Sequence, residues 1–418
     1  MDQPRSHVAL PTSFPLGRNE LIALAAALMA LNALAIDIML PGLQEIGASL
    51  GESDENRRQF VITAYVTGFG FAQLLFGPLS DRFGRRAPLI VGLFIYVGAA
   101  FACAFAPSFE TLLLMRFVQG LGAAATRVIA ISLVRDIFGG RAMAEVMSLV
   151  FMVFMVVPVI APGVGQVVML FGDWPMIFLF MGTTSACVLV WTSMRLPETL
   201  KPEHRRPFTV RVIADGFRIV LTNRVSICYT AAFTCIFGAL FGFINSAQQV
   251  YIGIYGVGAW FPVLFAIVAG LMAVSSYLNS RLVGRFGMRK LAHGALIGFI
   301  GVTTISFLWS LTGTVPLWAF TVLFALAMMQ FSWIGSNFNS LAMEPLGHVA
   351  GTASSVQGFL QTVGGGILGA MIGQAFDGTV TPLAAGYFFA GLGALGMVLL
   401  AERGKLLQAQ HEAPVRRH

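Results

Sequence analysis

The chain contains twelve apolar runs of about 20 residues, separated by short polar or charged segments. A helix of about 20 apolar residues crosses the hydrocarbon core of a bilayer, where an open strand would leave its backbone groups unpaired. The pattern therefore predicts an all-α membrane protein. Its predicted spans are residues 21–41, 59–77, 87–106, 111–134, 143–170, 175–195, 226–250, 258–280, 291–312, 316–341, 350–375 and 382–401.

The composition agrees with this interpretation, because only 11% of the residues are charged whereas a soluble domain carries roughly 25%. The net charge of +7 does not indicate a nucleic-acid partner, since the basic residues are spread over short loops. The first apolar run resembles the core of a signal peptide, but it continues to Leu40 and more spans follow. We interpret it as an uncleaved first helix.

The basic residues also predict the orientation of the spans. The side that carries both termini holds 22 of the 26 Lys and Arg residues, while the opposite side holds only Arg57 and Arg58. Basic loops stay in the cytoplasm, so both termini are expected there. We expect the protein to lie in the bacterial inner membrane as a monomer.

The long basic loop at residues 196–225 divides the chain into two halves, residues 1–195 and 226–418. We interpret this loop as a linker whose helix lies on the anionic membrane surface; a regulatory site is the alternative.

A short charged motif repeats between the two halves. GPLSDRFGRR at residues 77–86 has a degraded copy, LVGRFGMR at residues 282–289, at an offset of 203. Parallel repeats of six helices predict two six-helix bundles related by a pseudo-two-fold axis, with a substrate path between them. We interpret the motif as a tight cytoplasmic gating loop formed by Gly77, Asp81, Arg82, Gly84, Arg85, Arg86 and Arg135.

Within this loop, Asp81 is expected to face the start of the eleventh span or to pair with Arg135. The copy has Gly284 in place of Asp81, so this lock is expected only in the first half.

Three ionisable residues fall inside the predicted spans: Asp37, Arg116 and Arg127. Charges at that depth are costly and are therefore candidates for function. Asp37 is the only deep carboxylate, so we assign proton coupling to Asp37 and Arg116, whose predicted depths allow them to pair. A static structural pair is the alternative. The chain has no Cys or His cluster, and we expect neither a metal nor a cofactor.

Polar and aromatic side chains form stripes on several predicted helices. Amides in a membrane can bond between helices or line a cavity, and both interpretations remain open for each residue. Together they predict a wall for partly apolar molecules with a few hydrogen-bonding groups. The candidate lining residues are Tyr65, Phe69, Gln73, Arg127, Phe237, Phe241, Asn245, Gln248, Gln330, Trp333, Asn337, Gln357 and Gln361.

The fifth predicted span contains Pro158, Pro162, Gly163 and Gly165. Proline removes a helix hydrogen bond and glycine permits close approach, so this helix is expected to pack closely and to act as a hinge.

These motifs together resemble the Bcr/CflA group of drug:proton antiporters in the major facilitator superfamily. The loop at residues 77–86 resembles the superfamily motif between the second and third helices, and IDIMLP at residues 36–41 resembles the group's first-helix signature. RFVQG at residues 116–120, LPETL at 196–200 and GTASS at 351–355 are similar to further group motifs. The fifth-helix motif, APGVGQ at residues 161–166, departs from the usual G-P-x-x-G-G.

The resemblance implies a proton-driven exporter of antibiotics such as phenicols, bicyclomycin or sulfonamides, in which Arg116 takes part in proton coupling. Export of a native metabolite such as an amino acid or a sugar is the alternative. Two arginines against one aspartate inside the predicted spans favour neutral, zwitterionic or anionic substrates. A receptor or an enzyme fits less well, because the chain lacks a sizeable soluble domain and its spans lack a nucleophile–base pair.

Overall fold

The computed structural model describes residues 16–138, 140–200, 202–205 and 210–407, which contain helices and no strand. The predicted all-α class is therefore confirmed. The twelve long helices are α1 Arg18–Asp37, α2 Phe60–Phe83, α3 Arg86–Ala104, α4 Phe109–Ile137, α5 Gly140–Val168, α6 Pro175–Arg195, α7 Arg224–Gln248, α8 Phe261–Phe286, α9 Met288–Ser310, α10 Leu317–Met343, α11 Ala350–Gln374 and α12 Thr381–Ala401. Among the described residues, ten segments are long and apolar enough to cross a membrane.

Local sequence explains where several helices begin. The Ser108 hydroxyl accepts a hydrogen bond from the Thr111 amide at the start of α4, and the Asn223 side chain accepts one from Ser226 at the start of α7. These side chains satisfy amides that have no partner within the helix. Large apolar side chains on the helix surfaces, such as Phe94 at 70% exposure, fit contact with lipid.

Two predicted boundaries are wrong. The first span does not end at residue 41, because a 3₁₀ turn at Leu40–Gly42 and a short helix at Leu43–Ser49 extend it. The predicted loop at residues 77–86 is mostly helix, since α2 continues through Pro78 to Phe83. Only Gly84 and Arg85 connect α2 to α3, and Gly84 has a φ of +91°, which favours glycine.

The chain forms two compact units. Unit 1 comprises Met1–Ala214 and Ala259–Ala266, and unit 2 comprises Asp215–Gly258 and Ile267–His418. The division falls inside a helix at Val210–Thr222, within the predicted linker. This helix buries Val220 and exposes Arg211 and Arg218, so it has one apolar and one basic side.

Small residues let the helices of unit 1 pack closely. A Cβ added at Gly120 of α4 would collide with the carbonyl oxygen of Tyr65 in α2, and one at Gly68 of α2 would collide with that of Phe117. These reciprocal contacts fix α2 against α4. In unit 2, α7 packs on α11 in the same way, since a Cβ at Gly369 would collide with the Phe241 side chain.

Candidate functional site

Arg116 of α4 is fully buried and joins three helices of unit 1. Its Nη2 donates to the carbonyl oxygen of Ala35 in α1 at 2.9 Å, and its Nε donates to that of Val61 in α2 at 3.2 Å. Its Nη1 donates to Gln119 Oε1 at 2.7 Å, one turn along α4. A buried guanidinium needs such acceptors, and here backbone and amide oxygens supply them.

Aromatic rings complete the surroundings of Arg116. The guanidinium carbon lies 4.5 Å from the centre of the Tyr65 ring and 5.8 Å from that of Phe178. The Tyr65 hydroxyl donates to Asn32 Oδ1 of α1 at 2.8 Å. Ring faces attract a desolvated cation, so this pocket stabilises the charge without an acidic partner.

Arg116 and Asp37 do not form a salt bridge in this structure, although their predicted depths allowed one. Asp37 is the last residue of α1, two positions beyond the carbonyl that Arg116 holds. It is 4% exposed, and its Oδ1 is buried with no hydrogen-bond partner among the described residues. A buried carboxylate oxygen without a donor is costly in its charged form, which makes Asp37 the candidate for a proton-exchanging group in unit 1.

The break in the helical chain after Asp37 is covered by α5. A Cβ added at Gly165 would collide with the carbonyl oxygen of Ile38, so glycine is needed at this contact. Pro158 and Pro162 lie inside α5, which is one helix from Gly140 to Val168. Gly165 therefore joins the predicted hinge helix to the segment that carries Asp37, while the hinge itself stays a prediction.

Arg127 lies on α4, three turns beyond Arg116. It is partly exposed, and its guanidinium carbon is 5.9 Å from the centre of the Phe69 ring in α2. It forms no salt bridge with any residue that the structure describes. A cation held by an aromatic face, with no carboxylate paired to it among the described residues, is a candidate for binding an anionic group.

The motif at residues 77–86 forms a charged network around Arg85. The Arg85 guanidinium donates to Asp81 Oδ1 at 2.6 Å, to Ser80 Oγ at 2.8 Å and to Asp136 Oδ2 at 2.7 Å. Burial opposes the charge of Arg85, but the hydrogen bonds to Asp136 and Asp81 outweigh it and raise the pKa of the guanidinium. The network fixes the end of α4 to the α2–α3 junction.

Glu198, which follows α6, caps the start of α3. Its carboxylate accepts hydrogen bonds from the amides of Arg85 at 2.8 Å and Arg86 at 3.3 Å. A carboxylate at a helix N-terminus satisfies free amides and opposes the helix dipole. A Cβ at Gly84 would collide with Glu198 Oε2, so a second constraint besides the backbone angle requires glycine there.

The pairing of Asp81 with Arg135, one of the two expected alternatives, is wrong, while contact of Asp81 with the start of the eleventh span stays a prediction. Asp81 pairs with Arg85, while Arg135 is exposed and its neighbour Asp136 enters the network. Arg82 is also exposed, and Arg86 donates to the carbonyl oxygen of Ser193 at 2.8 Å.

Unit 2 contains a charged cluster of its own, whereas the one-sided lock expected at Asp81 stays a prediction. In unit 2, Arg289 donates to Glu402 Oε1 at 2.9 Å and to Glu344 Oε2 at 2.9 Å. Arg289 corresponds to Arg86 at the offset of 203. Acidic residues after α10 and α12 thus pair with Arg289, at a different position of the repeat from Arg85.

Most of the predicted lining residues of unit 2 bond or pack between helices. Trp333 Nε1 donates to the Ser275 carbonyl oxygen at 2.8 Å, and Asn337 Nδ2 donates to Asn279 Oδ1 at 2.9 Å, which joins α10 to α8. The other contacts follow the same pattern: Gln357 with Ser226, Gln361 with Asn339, Gln330 against Gly298, and Phe237 against Gly365. For these residues the structure therefore favours the first of the two interpretations, contact between helices rather than the lining of a cavity.

Asn245 and Gln248 of α7 differ from that pattern. They are 2% and 3% exposed, and Asn245 Oδ1 and Gln248 Nε2 lack hydrogen-bond partners among the described residues. The two residues are one helical turn apart and are followed by a π-helical segment, Gln249–Ile254, a feature that often marks functional sites. They are the best candidates in unit 2 for contact with a polar ligand.

Sequence reasoning missed the acidic partners of the loop motif and the groups around Arg116. Asp136 and Glu198 lie outside the spans, where carboxylates are common, and only the LPETL motif pointed to Glu198. Gln119 lies three residues after Arg116, on the same helix face, so its spacing could have identified it.

The fold and the buried charges in its spans define a polytopic membrane transporter. The family model of the Major Facilitator Superfamily matches residues 22–370. The chain therefore belongs to the major facilitator superfamily.

Curated relatives of similar length support this assignment. An "Uncharacterized MFS-type transporter YdgK" from Bacillus subtilis is 31% identical over 380 residues, which cover 89% of this chain and 93% of the relative. A "Bicyclomycin resistance protein homolog" from Haemophilus influenzae is 31% identical over 352 residues, which cover 83% of this chain and 87% of that protein. "Multidrug resistance protein MdtL" from Escherichia coli is 29% identical over 357 residues, with the same coverage.

A solved structure shares the fold. The xylose transporter XylE from E. coli, in a partially occluded inward-open conformation, has a TM-score of 0.70 at 12% identity, covering 94% of this chain and 98% of XylE. At that identity the likeness concerns the fold alone.

Proposed function

We propose that this protein is a proton-coupled efflux transporter that exports small, partly apolar antibiotics by alternating access. The names of two relatives, which refer to bicyclomycin and multidrug resistance, support the choice of cargo. The observation that carries the coupling is the buried Asp37 carboxylate, whose Oδ1 has no donor among the described residues. The charged ends of the units, which carry Arg85 and Arg289, face the cytoplasm in this proposal because basic loops stay there.

In this mechanism, Asp37 takes up a proton from the periplasmic side. The neutral carboxyl group tolerates the buried position, so protonation stabilises the packing of Ile38 against Gly165. Loss of the proton to the cytoplasm restores the negative charge of Asp37 and favours separation of Ile38 from Gly165. Arg116 transmits the change, because it holds the carbonyl of Ala35 in α1 and that of Val61 in α2.

Transport by the purified protein in proteoliposomes tests the proposal. Vesicles that are acidic inside should accumulate a phenicol through the wild type, since protons leave as the drug enters. Asp37→Asn should lose this uptake but keep the exchange of labelled for unlabelled drug, which needs no net proton movement. Asp173→Asn, at an exposed aspartate, is the matched control and should transport like the wild type.

Two outcomes would count against the proposal. If Asp37→Asn accumulated the drug against its concentration gradient, Asp37 would not be the residue that couples transport to protons. Absence of phenicol, bicyclomycin and sulfonamide transport by the wild type, with transport of an amino acid or a sugar, would favour a metabolite exporter instead.

A further inference from the structure

A hydrogen-bonded cluster in unit 2 includes a histidine to which the proposed transport mechanism assigns no role. His293 of α9 is 1% exposed, and its ring lies parallel to that of Tyr229 in α7 with the centroids 6.3 Å apart. The Tyr229 hydroxyl contacts His293 Nε2 at 2.9 Å and Glu402 Oε1 at 2.7 Å. The cluster therefore connects α7, α9 and the segment that follows α12.

The other face of the imidazole holds that segment. The Leu407 amide donates to His293 Nδ1 at 3.1 Å. Because Nδ1 accepts, the proton of the neutral ring lies on Nε2 and is donated to the Tyr229 hydroxyl. The hydroxyl in turn donates to Glu402, so the chain of hydrogen bonds has one direction and requires a neutral His293.

The segment Glu402–Leu407 is strained and needs such contacts. Arg403 and Leu407 have φ values of 54° and 62°, and they are the only non-glycine residues with positive φ in the part of the chain that the structure describes. This region of the backbone is unfavourable for residues with a Cβ and persists where surrounding contacts hold it. Leu407 is 45% exposed, so its side chain adds little to hold the segment.

We infer that His293 is a docking site for the chain's own segment Glu402–Leu407, and that the docked segment fixes the ends of α7, α9, α10 and α12 relative to one another. Arg289 extends the same cluster to Glu344 at the end of α10, and Arg224 donates to the Ala401 carbonyl oxygen at 3.2 Å. His293 and Tyr229 are thus positioning residues of unit 2. This inference concerns unit 2, whereas Asp37 belongs to unit 1, and it does not depend on the transported substrate.

Docking in this form depends on the protonation of His293. A protonated imidazole donates from both nitrogens, so Nδ1 could no longer accept from Leu407. The charged and titratable groups that face the ring are Tyr229 from α7, Glu402 after α12, and Arg289 on α9 itself, with Glu344 beyond Arg289. Arg289 pairs with both Glu402 and Glu344, and its single positive charge offsets only one of the two carboxylates. The added proton on Nδ1 nevertheless removes the acceptor of the Leu407 amide. The segment is therefore expected to detach as the pH falls and His293 is protonated.

Hydrogen exchange of the full-length protein in nanodiscs, read on the peptide that contains Leu407, tests this inference. Protection, corrected for the intrinsic exchange rate at each pH, should fall about fivefold between pH 8 and about pH 4.5 in the wild type, the effect of one hydrogen bond. His293→Gln offers an acceptor and a donor at both pH values, so its protection should not change. Equal protection of the wild type at both pH values, or a wild-type response in His293→Gln, would overturn the inference.

Tyr229→Phe provides a second test if His293→Gln does not fold. It keeps the histidine but removes the acceptor that holds the proton on Nε2. The protection of Leu407 should then be reduced already at pH 8, and unchanged protection would contradict the role of the hydrogen-bond chain.

Discussion

The Arg116 guanidinium donates a 2.9 Å hydrogen bond to the carbonyl oxygen of Ala35, two residues before Asp37. The buried arginine thus holds the backbone of the helix end that carries the carboxylate, rather than the carboxylate itself. A carbonyl acceptor remains available in both protonation states of Asp37, so in the proposed mechanism Arg116 holds α1 whether or not Asp37 carries a proton.

Arg116→Lys should therefore impair both stability and transport. A lysine ammonium cannot reach Ala35, Val61 and Gln119 in the geometry of a guanidinium. Hydrogen bonds in membrane proteins average about 0.6 kcal/mol each, so the loss of two or three predicts a destabilisation of about 1–2 kcal/mol. Thermal unfolding in detergent and drug uptake are the measurements. Arg127→Lys is the control, because Arg127 donates to no backbone carbonyl among the described residues, and an equal loss of stability there would contradict the prediction.

Gly165→Ala should disturb the segment after Asp37. The added Cβ would collide with the Ile38 carbonyl oxygen, and overpacking of this kind costs about 1–3 kcal/mol. We expect reduced stability and reduced proton-driven uptake. Gly163→Ala in the same helix is the matched control, since its Cβ would meet no atom of the described residues closer than 3.9 Å. Similar effects of both substitutions would show that α5 is sensitive to any added methyl group.

The sequence was sufficient to predict the helical architecture, because the bilayer requires a long apolar run for each span. It was not sufficient to predict side-chain partners. Arg85 and Glu198 are 113 positions apart, and nothing in the local pattern indicates that α6 ends beside the start of α3. Likewise, Trp333 and Asn245 belong to similar polar stripes, yet Trp333 bonds to a neighbouring helix and Asn245 Oδ1 does not bond to any described residue. Helix rotation decides this difference, and hydropathy alone does not determine rotation.

Arg127→Leu should change substrate preference more than stability. The guanidinium contacts the Phe69 ring and forms no salt bridge with the described residues, so its removal leaves no buried acid unpaired. If Arg127 attracts anionic groups, uptake of an anionic sulfonamide should fall about tenfold relative to that of a neutral phenicol, a difference of about 1.4 kcal/mol. Uptake of each compound over a range of concentrations measures this ratio. Arg127→Lys, which keeps the charge, should preserve the ratio, and an unchanged ratio in Arg127→Leu would exclude Arg127 from substrate choice.

Asp81→Ala and Asp136→Ala should have similar effects, because both acids bind the same guanidinium. Arg85 is nearly buried, and the loss of one partner leaves part of its charge uncompensated. We expect slower transport with retained drug binding in both variants, measured by uptake and by thermal stabilisation with the drug. The exposed Arg135 is the control, and Arg135→Ala should transport normally. Normal transport by Asp81→Ala would show that the motif serves only to fix the orientation of the chain in the membrane.

Glu198→Ala tests whether the cap of α3 acts together with the charged network around Arg85. Removal of the carboxylate leaves the amides of Arg85 and Arg86 without their acceptor, and the loss of an N-terminal cap costs about 1 kcal/mol. Because the cap positions the backbone of Arg85, its loss should also loosen the bonds from Arg85 to Asp81 and Asp136. Transport by the double variant Glu198→Ala/Asp81→Ala should then be no slower than that by Asp81→Ala alone, whereas independent roles predict additive losses. Glu110→Ala, at a side chain that is 73% exposed, should leave the transport rate unchanged.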